Sequence, residues 1–349
     1  MEEEMANQSI GSPRFYLDFT QLARLKGFFY WEDGVQNSFG FNDSEPLESN
    51  NDVWNFDLYK TNQYNLNNDD YKLWHFNFYP QDNIDKSWSR LASNSNWAGI
   101  INHNVANLTD EAPLLLFYND TPIQFISGFP DDVANSSPIE KNGYSIVEFT
   151  ENPQDDLYKV SIGLDTNVEG AVNIGTMSFG RYYDMPNSPD LSIKKSVEYD
   201  GVNIQRTLGG ADYVQVNNSG TPNWISGEPF ALVNPNESSS RLGRHGRRSW
   251  ELKFSYIGND NLFYDTSRPN VFGDLINDEG SDYNELSAGS EIQQIFDLTL
   301  GGALSFIFCP DPSATNPEFA QCRLDQSSLS ATQVAYQTWN VSMNIIEVW

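Results

Sequence analysis

Lysine, histidine and cysteine are scarce in this sequence. Of its 349 residues, nine are Lys, three are His and two are Cys. Acidic side chains number 48 against 20 basic ones, a formal charge of -28 at pH 7. Wrapping a nucleic-acid duplex needs surplus Lys and Arg to neutralise phosphates, so duplex binding is excluded. Docking on an anionic lipid surface is disfavoured for the same reason. No run approaches about 18 consecutive apolar residues, so no membrane-spanning helix is expected. The opening residues, MEEEMANQSIGSPRF, lack the basic and apolar stretches of a secretory leader. Synthesis and assembly in a cytoplasm are therefore expected.

Signatures of chemistry are equally sparse. His75, His103 and His245 stand alone, outside any HExxH pattern and away from cysteine. No nucleophile elbow, phosphate-cradling glycine loop or dinucleotide fingerprint occurs. Two cysteines do not make a zinc set, which takes about four ligands. Neither a cofactor nor a metal is expected, and the chain is read as a non-enzyme. Cys309 and Cys322 flank a long loop that a disulfide could close; two buried thiols in a reducing compartment are the other reading. The acidic pairs Asp69-Asp70, Asp131-Asp132 and Asp155-Asp156 are each flanked by Asn or Pro, which reads as solvated turns. Such pairs on a β-scaffold could hydrolyse glycosides, but only at a fixed carboxylate separation.

Aromatic residues and asparagine are abundant. Phe, Tyr and Trp make up 14% of the chain, enough to argue against disorder. Its 38 Asn residues favour many short turns. Strand-like runs dominate: 14–19, 54–58, 72–79, 112–118, 123–126, 144–149, 158–164, 191–199, 250–257 and 339–349. In WELKFSYI, Trp250, Leu252, Phe254 and Tyr256 face one way, and Glu251, Lys253 and Ser255 the other. Turns every 8–15 residues or so then point to a mainly β protein, a sandwich or a barrel. One segment reads as a clear helix. Ser290 caps it, Ile292, Ile295, Phe296 and Leu300 share a face, and Gly301-Gly302 ends it. Leu22–Leu25 could add a short helical turn.

A boundary is expected near Gly170–Gly175, dividing the chain into residues 1–175 and 176–349. The two parts carry net charges of -18 and -10. A long arm is expected at about 217–249, where periodicity fades. Within it RLGRHGRR gathers Arg241, Arg244, Arg247 and Arg248. Such a cluster could bind nucleic acid, but on so acidic a chain carboxylates of another subunit are the better partner. A second candidate lies in WAGIINHN. There an apolar strand, Ala98–Ile101, ends in Asn102, His103 and Asn104, which with Trp97 could grip a sugar by stacking and hydrogen bonding. Alternatively they cap the strand and satisfy its backbone.

The C-terminal half also carries a resemblance. GTMSFGRYYDMPNSPDLSIKKSVEYDG (175–201), GRRSWELKFSYI (246–257), LGGALSFIFCPDP (300–312) and the closing run 319–349 resemble virion structural proteins of tailed bacteriophages. The order of helix, Gly-Gly, short strand, Pro-containing loop, Cys-containing strand and final alternating strand is similar to distal-tail and minor tail-tip proteins. That resemblance implies a small β-barrel or sandwich with the C-terminal helix packed on it. It implies rings of identical subunits, commonly hexamers, that join the tail tube to host-recognition parts and other tail proteins. The virion tail would be the location. The first half looks more faintly like jelly-roll, carbohydrate-binding domains of tail proteins, through WAGIINHN and NGYSIVEF (142–149). A glycan-contacting module of a tail or fibre is therefore the alternative function. The family brings no catalytic residues.

Overall fold

The period-two runs are strands, joined in antiparallel sheets. The structure is a computed structural model. It describes residues 11–26, 29–30, 62–66, 72–78, 91–104, 113–119, 121–123, 136–138, 143–150, 157, 159–164, 170–199, 202–216, 246–263, 291–314 and 317–348. The protein is mainly β. The expected strand at 54–58 and most of the expected arm lie outside the described residues.

The larger sheet has 11 strands. Its N-terminal members are β1 (Arg14–Asp18), β3 (Asn62–Leu66), β5 (Trp97–His103), β9 (Gly143–Glu148) and β11 (Gly170–Asp184). Later come β12 (Lys194–Glu198), β15 (Arg247–Gly258), β16 (Phe306–Cys309), β17 (Ala320–Leu324), β18 (Ala331–Ala335) and β19 (Thr338–Glu347). The path runs β12-β15-β19-β17-β16-β1-β11-β5-β9, with β18 added to β19 and β3 to β11. A second sheet of six strands joins β2 (Phe29–Tyr30), β4 (Lys72–Phe78), β10 (Lys159–Leu164), β6 (Pro113–Tyr118) and β7 (Thr121–Pro122). Its sixth strand, β8 (Ser136–Pro138), pairs with β6. The hairpin β13 (Val202–Arg206) and β14 (Asp212–Val216) stands as its own two-stranded sheet.

The two large sheets share one core. Trp74, Phe76, Leu116 and Ile162 of the smaller sheet join Phe15, Ile100, Met177 and Phe179 of the larger one in a single buried cluster. The Phe76 and Phe179 rings meet edge to face at 5.6 Å. Each fully buried side chain of this kind contributes about 1.5–3 kcal/mol.

Strand β11 corrects the expected division of the chain. A boundary at 175/176 falls inside this 15-residue strand, which pairs with β1, β3 and β5. Two of its glycines, Gly175 and Gly180, lie where another backbone comes close. A Cβ on Gly180 would lie 1.9 Å from the Leu17 carbonyl oxygen. No single-residue propensity reveals that contact.

Strand β15 departs from strict alternation. Trp250, Leu252 and Phe254 are buried as expected, yet Tyr256 is 74% exposed and Ile257 takes the inward place. A bulge between Phe254 and Ile257 shifts the register, and Tyr256 adopts φ 61. The expected strand at 191–199 shortens to β12, with Leu191 exposed.

The expected helix is α3 (Glu291–Leu298), following α1 (Phe19–Lys26) and α2 (Asn259–Leu262). Ile292, Ile295 and Phe296 are buried. It stops in a Schellman turn. The Gly301 amide donates to the Phe296 carbonyl at 2.8 Å, and the Leu300 amide donates to Asp297 at 3.1 Å. Leu300 itself takes the left-handed position, φ 53, and both glycines after it are left-handed too. The helix packs against β1, β11 and α2, rather than only on strands of the second half. Helix α1 is longer than the expected turn because Asp18 caps it. One Asp18 oxygen accepts from the Thr20 amide at 2.8 Å, and the other from the Gln21 side chain at 2.8 Å.

Cys309 and Cys322 are buried free thiols. Register explains why they do not join. Phe306 pairs with Cys322 and faces the main core, whereas Cys309 is three residues on and faces a second cluster on the opposite side.

Candidate functional site

That second cluster comprises Tyr16, Trp97, Ile101, Ile307 and Cys309, with Ile146, Tyr182 and Phe319 packed on it. It exists because the larger sheet rolls up. Five strand spacings separate β9 from β17, about 24 Å across a flat sheet. Yet Tyr144 of β9 and Phe319, just before β17, bring their ring centroids to 5.3 Å. Trp97 lies edge-on to Tyr16 inside the roll at 5.6 Å.

This placement corrects the sugar-binding expectation for Trp97, Asn102, His103 and Asn104. Trp97, Asn102 and His103 are each 0% exposed, so they offer no platform to a ligand. The indole of Trp97 donates to the Leu17 carbonyl at 3.1 Å. His103 Nε2 lies 2.9 Å from the Ser145 hydroxyl, and burial pushes its pKa down to about 4, so the ring is neutral. Asn102 occupies a bulge in the left-handed region at φ 58, a conformation Asn tolerates. The Asn104 side chain accepts from the Asn173 amide at 2.7 Å. Asn104 thus satisfies backbone just beyond the end of β5, as in the other reading of the segment.

The arginine cluster is divided. Arg241 and Arg244 lie outside the described residues, with His245. Arg247 and Arg248 open β15. Arg248 is committed within the chain. Its Nε donates to Glu347 at 3.0 Å, Nη2 to the same carboxylate at 2.5 Å, and Nη1 to Glu318. Glu347 is 2% exposed. Burial alone would lower the Arg248 pKa, but these carboxylates outweigh it and hold the group charged. Glu318 also receives Lys195 at 2.7 Å; burial would raise its pKa, yet the two cations hold it below the usual range. The acidic partner expected on another subunit is therefore found, for Arg248, within the same chain.

The acidic pairs 69-70, 131-132 and 155-156 all lie outside the described residues. Among the described residues, no group of three or more His, Cys, Asp or Glu is placed to hold a metal.

The structure instead assembles a charged cleft at the mouth of the roll, with a volume of about 390 Å³. Arg14 and Tyr16 come from β1, Ile146 and Glu148 from β9, and Ser313 and Phe319 from the segment between β16 and β17. Arg14 donates Nε and Nη2 to the two oxygens of Asp184 at 2.6 and 2.8 Å. Its Nη1 donates to Glu148 Oε1 at 2.5 Å, and the Tyr16 hydroxyl donates to the same oxygen at 2.7 Å. The guanidinium lies 4.1 Å from the Tyr182 ring centre. Burial and the Glu148 charge raise the Tyr16 pKa, so its hydroxyl is a fixed donor. The carboxylates keep Arg14 charged against the effect of burial. Sequence reasoning passed over these residues because they lie 170 positions apart for Arg14 and Asp184, and 134 for Arg14 and Glu148. The alternation in RFYLD, which puts Arg14, Tyr16 and Asp18 on one face, was the available signal.

Among the described residues, exposed apolar side chains gather on the β13–β14 hairpin and near the end of β15. Every residue from 202 to 215 is exposed. On the β13–β14 hairpin Ile204 sits opposite Val214, at 62% and 56% exposure, with Leu208 at the tip. Tyr256, Val334 and Tyr336 are also exposed. The Tyr256 amide donates to Asn340, and Gly258 pairs with Thr338, so these residues lie near the C-terminal end of β15.

Compared with known proteins, the chain matches no family model, no curated protein and no solved structure.

Proposed function

We propose that this chain is a structural subunit of a bacteriophage tail, joining copies of itself head to tail into a ring. One observation carries the reading: the described residues expose two unlike apolar surfaces, one on the hairpin that follows β12 and one near the C-terminal end of β15. Glu198, the last residue of β12, pairs with Arg247 at the start of β15. The hairpin follows β12 closely in the chain, beginning at Val202. Tyr256 lies toward the other end of β15, roughly 30 Å from Arg247 at 3.3 Å per residue. A symmetric dimer buries one patch against itself, whereas a head-to-tail contact needs two unlike patches. A two-stranded hairpin is also marginal alone in water, so β13–β14 gains from a partner. The hairpin carries one Arg and one Asp, paired at 3.1 Å, and so meets another acidic copy without adding repulsion. The resemblance of residues 175–349 to distal-tail proteins supports the same reading, with the tail as location and other tail proteins as neighbours.

The test uses two variants. I204D/V214D disables the hairpin, and V334D/Y336D the far patch. Light scattering and electron microscopy of the unaltered protein should show a closed ring, and each variant alone a folded monomer. Mixed together, they should form only a heterodimer through the one intact pair of patches. A monomeric unaltered protein, or variants that assemble normally, would defeat the assignment.

A further inference from the structure

We propose that the cleft at the mouth of the rolled sheet binds a neutral, hexose-sized sugar. The proposal does not rest on the assembly reading.

Its volume of about 390 Å³ falls in the range of small-ligand sites. The charged side chains that line it are Arg14 and Glu148, already paired with each other, with Asp184 also on Arg14. A phosphate or carboxylate would meet Glu148, and an ammonium would meet Arg14, so charged ligands gain little there. The hydrogen-bonding capacity is mixed and unused. Both bonds to Glu148 end on Oε1; among the described residues Oε2 accepts none, although the side chain is 27% exposed. Arg14 has five N–H donors. Three go to carboxylates, and two remain. The Ser313 hydroxyl donates to Asp311 at 2.6 Å and keeps its lone pairs for an incoming donor. The site therefore offers a charged acceptor and charged donors side by side. A sugar hydroxyl donates and accepts at once, and two vicinal hydroxyls can satisfy both groups together. Hydrogen bonds to charged groups are the stronger kind, which favours them over bulk water.

The walls suit the other side of a pyranose. Phe319, Ile146, Pro312 and Pro317 give apolar surface against which axial C–H groups can pack. Phe319 is fixed in place by ring contacts with Tyr16 and Tyr144, at 5.9 and 5.3 Å. Tyr16 and Glu148 are likewise held by their mutual bond, so the polar groups are set before a ligand arrives. The sugar-binding chemistry sought at Trp97 is thus placed one layer outward, on the accessible end of the same aromatic cluster.

Saturation-transfer NMR on the full chain would test this with methyl glucoside, methyl galactoside and N-acetylglucosamine as neutral probes. Glucosamine and glucuronate serve as charged ones. At least one neutral probe should bind. E148Q should weaken it tenfold or more, and F319A similarly. S313W fills the cleft from an exposed position, so it should abolish binding while leaving the melting curve unchanged. Failure of all three neutral probes would overturn the proposal. So would undiminished binding in S313W, or tighter binding of either charged probe than of its neutral counterpart.

Discussion

Acid should unfold this protein partly through one imidazole. His103 ends β5 at 0% exposure, beside the Ser145 hydroxyl, and burial lowers its pKa to about 4 from the ordinary 6.5. Above 6.5 the ring is neutral in both folded and unfolded chains, and stability is complete. Between 6.5 and about 4 the unfolded chain takes up a proton that the folded one refuses. Stability therefore falls as pH falls through that window, and levels off below it. The gap corresponds to about 3 kcal/mol. A variant, H103Q, keeps a hydrogen-bonding group near Ser145 and removes the titration. Guanidinium melts of both proteins at about pH 7.5 and about pH 4 would give four free energies. Acidic residues titrate alike in the two proteins, so their contribution cancels in the comparison. The unaltered protein should lose about 3 kcal/mol more than H103Q on acidification. An equal loss would show that His103 protonates freely in the folded state, and the burial of β5 would be wrong at its end.

Two further outcomes follow from charge and burial elsewhere. R248M strands Glu347 at 2% exposure without its partner, and should cost about 3–5 kcal/mol in denaturant unfolding. Cys309 and Cys322 are buried, and burial raises both pKa values, that of Cys309 to about 12. A thiol reagent should therefore modify neither until denaturant is added, and a reductant should leave the melting temperature unchanged.

The sequence made the strand character of this chain legible because alternation is local. The inward faces of β15 and β19 could be read from Leu252 and Met343. The end of α3 could be read from Gly301-Gly302. What stayed hidden depends on residues distant in the chain. The need for glycine at position 180 comes from Leu17, 163 residues earlier, whose carbonyl leaves no room for a Cβ. Tyr256 matched the apolar period and still faces solvent, because the bulge arises from pairing with β19. At the candidate sites, residue chemistry was legible and depth was not. Trp97 and His103 have the right side chains for a sugar, but a rolled sheet buries them. Arg14 and Glu148 acquire a shared role only when that roll brings β1 to β9.

The position of β1 also sets a schedule for folding. This strand lies between β11 and β16, with Arg14 opposite both Asp184 and Cys309. This strand must therefore wait for one made nearly 300 residues later. At 5–20 residues per second, the interval from β1 to β16 is roughly 15–60 s. Until then a nascent chain exposes the edge of β1 that β16 will later cover. Such long-range pairing is slow by its topology, and an unpaired edge invites wrong partners. Heavy overproduction, with many unfinished chains close together, is thus the condition under which this protein is most prone to aggregate, and slowing its synthesis would not shorten the wait.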